Sequence, residues 1–136
     1  MKKHKRIKIL RALIVLTVIF IWAHSFMPPD MSGEESGFVV SVLELAFGKG
    51  NVSELLVRKL AHFTEYFILG MELMAYFGVF HTGAFHGLTV AAIDETIQLL
   101  SQRGSSLLDV WLDFAGCLTG ILIILLITGK KHTKKE

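Results

Sequence analysis

The stretch from Arg58 to Gly70 opens an apolar run that continues to about Phe80, long enough to cross a bilayer. Yet its first turns carry Arg58, Lys59, His62 and Glu65, and Glu72 lies further in. On a helix, residues 58, 62, 65 and 72 fall on one stripe. An ionisable side chain in a spanning helix costs about 2.5–3.5 kcal/mol on insertion scales, so it faces a protein interior or a wet cavity rather than lipid. The chain must therefore build other walls around this stripe.

Three further apolar runs are available, at about 7–26, 84–100 and 107–128. With 52% hydrophobic residues in 136, the chain is too apolar for a soluble domain of its size. It reads as a single domain over residues 1–136. Lysines and arginines crowd the amino end (Lys2, Lys3, Lys5, Arg6, Lys8, Arg11) and the carboxy end (Lys130, Lys131, Lys134, Lys135). Each cluster abuts an apolar run, which fits membrane orientation and not nucleic-acid binding. A basic amino terminus before an apolar run also suits a signal peptide, but this run is too long and no small-x-small cleavage site follows it. The lone Cys117 excludes an intramolecular disulfide and a cysteine-rich metal site.

The expected fold is all-α: an integral membrane four-helix bundle with both termini in the cytoplasm, multi-pass in the cell membrane. Met27-Pro-Pro-Asp30 stops the first helix. Phe38, Val39, Val42, Leu43, Leu45 and Ala46 recur at helical spacing, predicting a short amphipathic extracellular helix between helices one and two, ended near Gly48-Lys-Gly50. A helix packed over the bundle mouth is the alternative. Ser53 is placed to cap the second spanning helix, and a turn is expected at His81-Thr-Gly83.

With that topology the polar groups of four separate segments come to one depth at the outer side. They are His24 and Ser25 on helix one, Arg58 to Glu65 on helix two, Asp94, Glu95 and Gln98 on helix three, and Asp109 and Asp113 on helix four. Arg103 lies in the loop between the last two. Asp109, Asp113, Gly116 and Gly120 form one stripe, whose glycine pair allows close helix approach within the monomer. Simpler roles exist. Asp109 suits a helix cap, Arg58 and Lys59 suit lipid phosphates, His24 suits an interface, and Glu72 has Gln98 or solvent as candidate partners.

The ordered set Arg58-Lys-x-x-His62-x-x-Glu65-Tyr66-x-x-Leu69-Gly70, Asp94-Glu95-x-x-Gln98, Arg103 and Asp109-Val-x-x-Asp113-x-x-Gly116, with the exit Ser25-Phe-Met-Pro28, resembles the VanZ-like family from about residue 10 to 127. The resemblance implies a small membrane protein of the cell envelope. The family's named members are associated with glycopeptide resistance, teicoplanin above all, in Gram-positive bacteria.

Four readings stay open. In the first, an outward-facing site acts on a lipid-linked or amphiphilic anionic substrate. His62, Glu65, Asp94, Glu95, Asp109 and Asp113 then serve as acid–base groups, while Arg58, Lys59, Tyr66, Gln98 and Arg103 hold the substrate. In the second, the same cluster binds a lipid headgroup or glycopeptide tail, as a binder or small carrier, without chemistry. In the third, the charges are an interhelical network. The partners expected are membrane lipids and a lipid-linked cell-wall precursor or lipoglycopeptide, not nucleic acid. In the fourth and least favoured reading, His62 and several carboxylates hold a metal, but no motif such as H-E-x-x-H is present, so no metal ligand is assigned and no cofactor is expected.

Overall fold

The computed structural model describes residues 2–27, 37–45, 48–50, 52–101 and 106–132. Among them the chain is all-helical, with five helices and no strand: α1 (Lys2–Ser25), α2 (residues 37–45), α3 (Glu54–Phe77), α4 (Phe80–Leu100) and α5 (Leu107–His132). Pro28 to Asp30, Ala46, Gln102, Arg103 and the last four residues lie outside the described residues.

Local signals account for the helix ends. Ser53 caps α3 as expected, its hydroxyl accepting from the Leu56 N–H at 3.2 Å. The expected turn at His81–Gly83 is not there. Gly78 takes φ 69°, a left-handed conformation that glycine adopts without a Cβ penalty, and its N–H closes the last turn on the Met74 carbonyl. The chain re-enters a helix at Phe80, so His81, Thr82 and Gly83 lie inside α4. Past α2, Gly48 and Gly50 at φ 89° and 80° turn the chain where a glycine-bounded end was expected. Most apolar side chains of α2 stay outward: Phe38 is 72% and Leu45 89% exposed, while Val40 and Leu43 are partly covered.

α3 packs most extensively on α5 and also touches α1 and α4; α4 touches α5 and α1. Small residues permit the closest approach. A Cβ on Gly70 would collide with the Cys117 backbone, one on Gly116 with the Phe63 carbonyl, and one on Gly120 with the Phe67 carbonyl. Gly87 of α4 likewise leaves room for the Cys117 sulfur. The glycine stripe of α5 thus packs inside the monomer. Around this seam lie the buried Ile21, Tyr66, Leu69, Leu73, Met74, Ala91 and Ile121.

The surface departs from that of a water-soluble fold, and the apolar interior includes polar groups. Leu16, Phe20, Phe85, Leu126 and Ile127 are exposed, whereas Ser25, Asp94, Gln98 and Asp113 are buried. α1 over His4–Ser25 and α5 over Leu107–Gly129 are long and apolar enough to cross a membrane, and only 6% and 28% of their apolar windows are buried inside the protein. The core helix of a soluble protein would bury far more of such a face. α3 and α4 fall short of the same apolarity, because His62, Glu65 and Glu72 on one, and Asp94, Glu95 and Gln98 on the other, dilute it. Hydropathy alone therefore marks two membrane-crossing helices, where the apolar runs predicted four.

Candidate functional site

The end of the molecule where α1 finishes and α5 begins brings the polar groups together. The i, i+4, i+3 spacing of Arg58, His62 and Glu65 turns all three toward the other helices. From α1, His24 meets Glu65: its Nδ1 lies 3.1 Å from Oε1. The His24 and His62 rings stack, with centroids 5.7 Å apart and planes 9° from parallel. His62 Nδ1 lies 3.9 Å from Oδ2 of Asp94. That same oxygen accepts from Gln98 Nε2 at 3.1 Å, and the amide also approaches the Ser25 hydroxyl at 3.4 Å. Asp113 joins from α5: one oxygen of it, one of Asp94 and a His62 nitrogen all lie within 4.8 Å of one another.

A second layer sits nearer the surface. Lys59 donates to Asp109 Oδ1 at 2.7 Å, with 41% and 27% of the two side chains exposed. This pair joins α3 to the first turn of α5, where Ser106 caps by accepting from the Leu108 N–H. Glu95 accepts from the Ser106 N–H, tying α4 to the same point. A cavity of about 190 Å³ runs between the layers. Leu55, Arg58, Lys59 and Asp109 line its outer part, His62, Gln98 and Asp113 its inner part, and Leu112 gives an apolar wall.

Burial makes the inner layer demanding. Tyr66, Asp94 and Asp113 are at most 2% exposed. Asp94 Oδ1 and Glu65 Oε2 have no hydrogen-bond partner among the described residues. The Tyr66 hydroxyl lies beside the Asp94 carboxylate without meeting hydrogen-bond geometry. Buried polar groups left in this state cost free energy, which points away from a purely structural network.

Of the residues expected from sequence, Arg58, Lys59, His62, Gln98, Asp109 and Asp113 share the cavity wall. Glu65, Tyr66 and Asp94 stand directly behind it. Glu95 holds a backbone amide at the start of α5, and Arg103 lies outside the described residues. Glu72 pairs with neither Gln98 nor solvent alone: the Thr17 hydroxyl of α1 donates to it at 3.1 Å. His24 and Ser25 are more central than their sequence context indicated. Their signal was two polar residues closing an otherwise apolar run.

The VanZ/LLP1 family model matches residues 10–128, a span that takes in most or all of each long helix and every group of the cluster. The chain belongs to the VanZ/LLP1 family. Neither a curated protein nor a solved structure matches it. In this VanZ/LLP1 protein the motifs lie far apart in sequence, yet each delivers a side chain to one end of the molecule. Three kinds of chemistry are on hand there. Cations at the rim can hold an anion by charge-assisted hydrogen bonds. A histidine–carboxylate pair can pass a proton. One imidazole and two carboxylates within reach of one another offer the donor set of a metal ion. Cys117 is buried in the α3–α5 seam and does not line the cavity, so it supplies no nucleophile there.

Proposed function

We propose that this VanZ/LLP1 protein is a multi-pass, four-helix membrane protein with both termini cytoplasmic. Its cavity opens at the outer membrane–water boundary and takes the anionic headgroup of an amphiphile, such as a lipid-linked cell-wall precursor. One observation carries the reading: the cavity is graded. Half-exposed cations stand at its rim, partly buried His62 and buried Asp113 at its floor, and apolar Leu55 and Leu112 beside them. A headgroup entering from the lipid surface meets Arg58 and Lys59 first, while its chains stay against the apolar exterior. Acid–base work falls to His24, His62 and Glu65, which are linked by the 3.1 Å contact and the ring stack.

Binding of a polyprenyl diphosphate to the protein in nanodiscs, read by native mass spectrometry against phosphatidylcholine as the neutral competitor, tests this. Selective retention of the diphosphate, reduced about tenfold by Arg58→Ala or Lys59→Ala, supports it; one lost charge-assisted pair is worth roughly that much. Equal retention of both lipids would overturn it.

The Lys59–Asp109 and Glu95–Ser106 contacts favour a second reading, in which the charges only join helices. Glu65→Gln separates the two. A structural network loses stability and keeps diphosphate turnover or binding, whereas a working site loses function at normal membrane levels.

A further inference from the structure

The expectation of no metal rested on the lack of a local motif, but the three ligand-bearing residues here come one from each of three helices. His62 of α3, Asp94 of α4 and Asp113 of α5 each present an atom within 4.8 Å of the others. Two of them are carboxylates almost wholly removed from solvent, at 0% and 2% exposure. Such groups are tolerated when paired with a cation or ligating a metal. Of the neighbouring cations, Lys59 is held by Asp109 at 2.7 Å and His24 by Glu65 at 3.1 Å, while Arg58 lines the cavity without an ion pair to either carboxylate among the described residues. Gln98 brings only a neutral amide to Asp94 Oδ2, and Oδ1 of the same buried carboxylate has no partner among the described residues. The cluster has an acidic excess and a spare, fully buried oxygen.

We propose that His62, Asp94 and Asp113 bind a divalent transition-metal ion. One imidazole nitrogen and two carboxylate oxygens suit zinc, manganese or iron better than calcium, which takes oxygen alone, or copper(I), which takes soft sulfur. Metal–ligand bonds of about 2.0–2.2 Å in a tetrahedral site put two ligand atoms about 3.4 Å apart, so side-chain rotations that bring the widest separation in by up to about 1.4 Å close the set. Gln98 is the outer partner that orients Asp94. Three protein ligands leave a coordination position open, and since His62 and Asp113 line the cavity, that position faces it. The proposal stands on the cluster and holds whether or not an amphiphile binds above it.

The test uses the full chain in detergent, any affinity tag removed, stripped with a chelator, then equilibrated with Zn²⁺ and desalted without lipid. Elemental analysis should return one zinc per chain, and Co²⁺ loading should give a visible absorption band of nitrogen–oxygen ligation. His62→Gln and Asp113→Asn should each weaken zinc binding at least about tenfold. A variant with both His81→Ala and His86→Ala, histidines of α4 outside the cluster, should bind as wild type does. Circular dichroism and elution volume qualify each variant as folded; if Asp113→Asn fails that check, His62→Gln decides. No zinc on the wild type, equal binding by folded His62→Gln, or loss of binding in the His81/His86 variant would overturn the proposal.

Discussion

Lys59 is where stability and function separate most cleanly. Its ion pair with Asp109 is short, but 41% of the lysine side chain is exposed, so solvent screens it. Such pairs contribute about 1 kcal/mol or less. Lys59→Met should therefore lower the melting temperature of the purified protein by only a few degrees. The same change should weaken retention of an anionic amphiphile about tenfold. Differential scanning fluorimetry and native mass spectrometry on one preparation compare the two. At this scale the sequence was informative about which residues are costly and silent about their partners. Arg58, His62, Glu65, Asp94 and Asp113 are all conspicuous as ionisable groups in apolar runs. That His24 meets Glu65, or that Thr17 donates to Glu72, depends on how α1 is rotated against α3. An apolar helix with little of its surface buried carries no pattern that reveals that rotation.

α3 and α5 hold the site together as a pair of elements. Their approach is so close that Gly70, Gly116 and Gly120 have the partner backbone where a side chain would begin. Overpacking in a well-packed interior costs about 1–3 kcal/mol, and here the obstacle is backbone, which yields least. Gly120→Ala and Gly70→Ala should each lower resistance to thermal or detergent unfolding by that amount. Gly129→Ala, where an added Cβ meets nothing within 4 Å, should be neutral or slightly stabilising. Equal melting temperatures for all three would show that the seam is looser than described. The Gly116-x-x-x-Gly120 spacing made this seam readable in advance. The helix boundary at Gly78 was not, because His81-Thr-Gly83 is an equally plausible turn by composition, and only the left-handed φ at Gly78 decides between them.

For the whole molecule, the distribution of apolar and polar surface and the family assignment agree on a membrane protein. The expected four spans follow from apolar length. In the structure the two middle helices trade apolarity for the site, so hydropathy alone marks α1 and α5. If the cavity opens outward and takes amphiphiles, a lipidated glycopeptide partitions into the surface where it lies, and an unlipidated one does not. Expression in a susceptible Gram-positive host should then raise the inhibitory concentration of teicoplanin more than that of vancomycin. Arg103→Ala or Glu65→Gln should abolish the difference while the protein still reaches the membrane. Equal shifts for the two drugs would instead indicate general envelope stress.

The outward, ligand-accessible cavity is the claim on which the functional reading depends, and Leu55 is well placed to probe it, being 62% exposed and part of the lining. In a Cys117→Ala background, which removes the chain's single cysteine, Leu55→Cys can be challenged in intact cells with a membrane-impermeant thiol reagent. The expected result is labelling from outside, slowed by an added short-chain polyprenyl diphosphate and unaffected by a neutral analogue of the same chain length. Labelling only after the cells are permeabilised would place the cavity on the other face and contradict the outward-facing site.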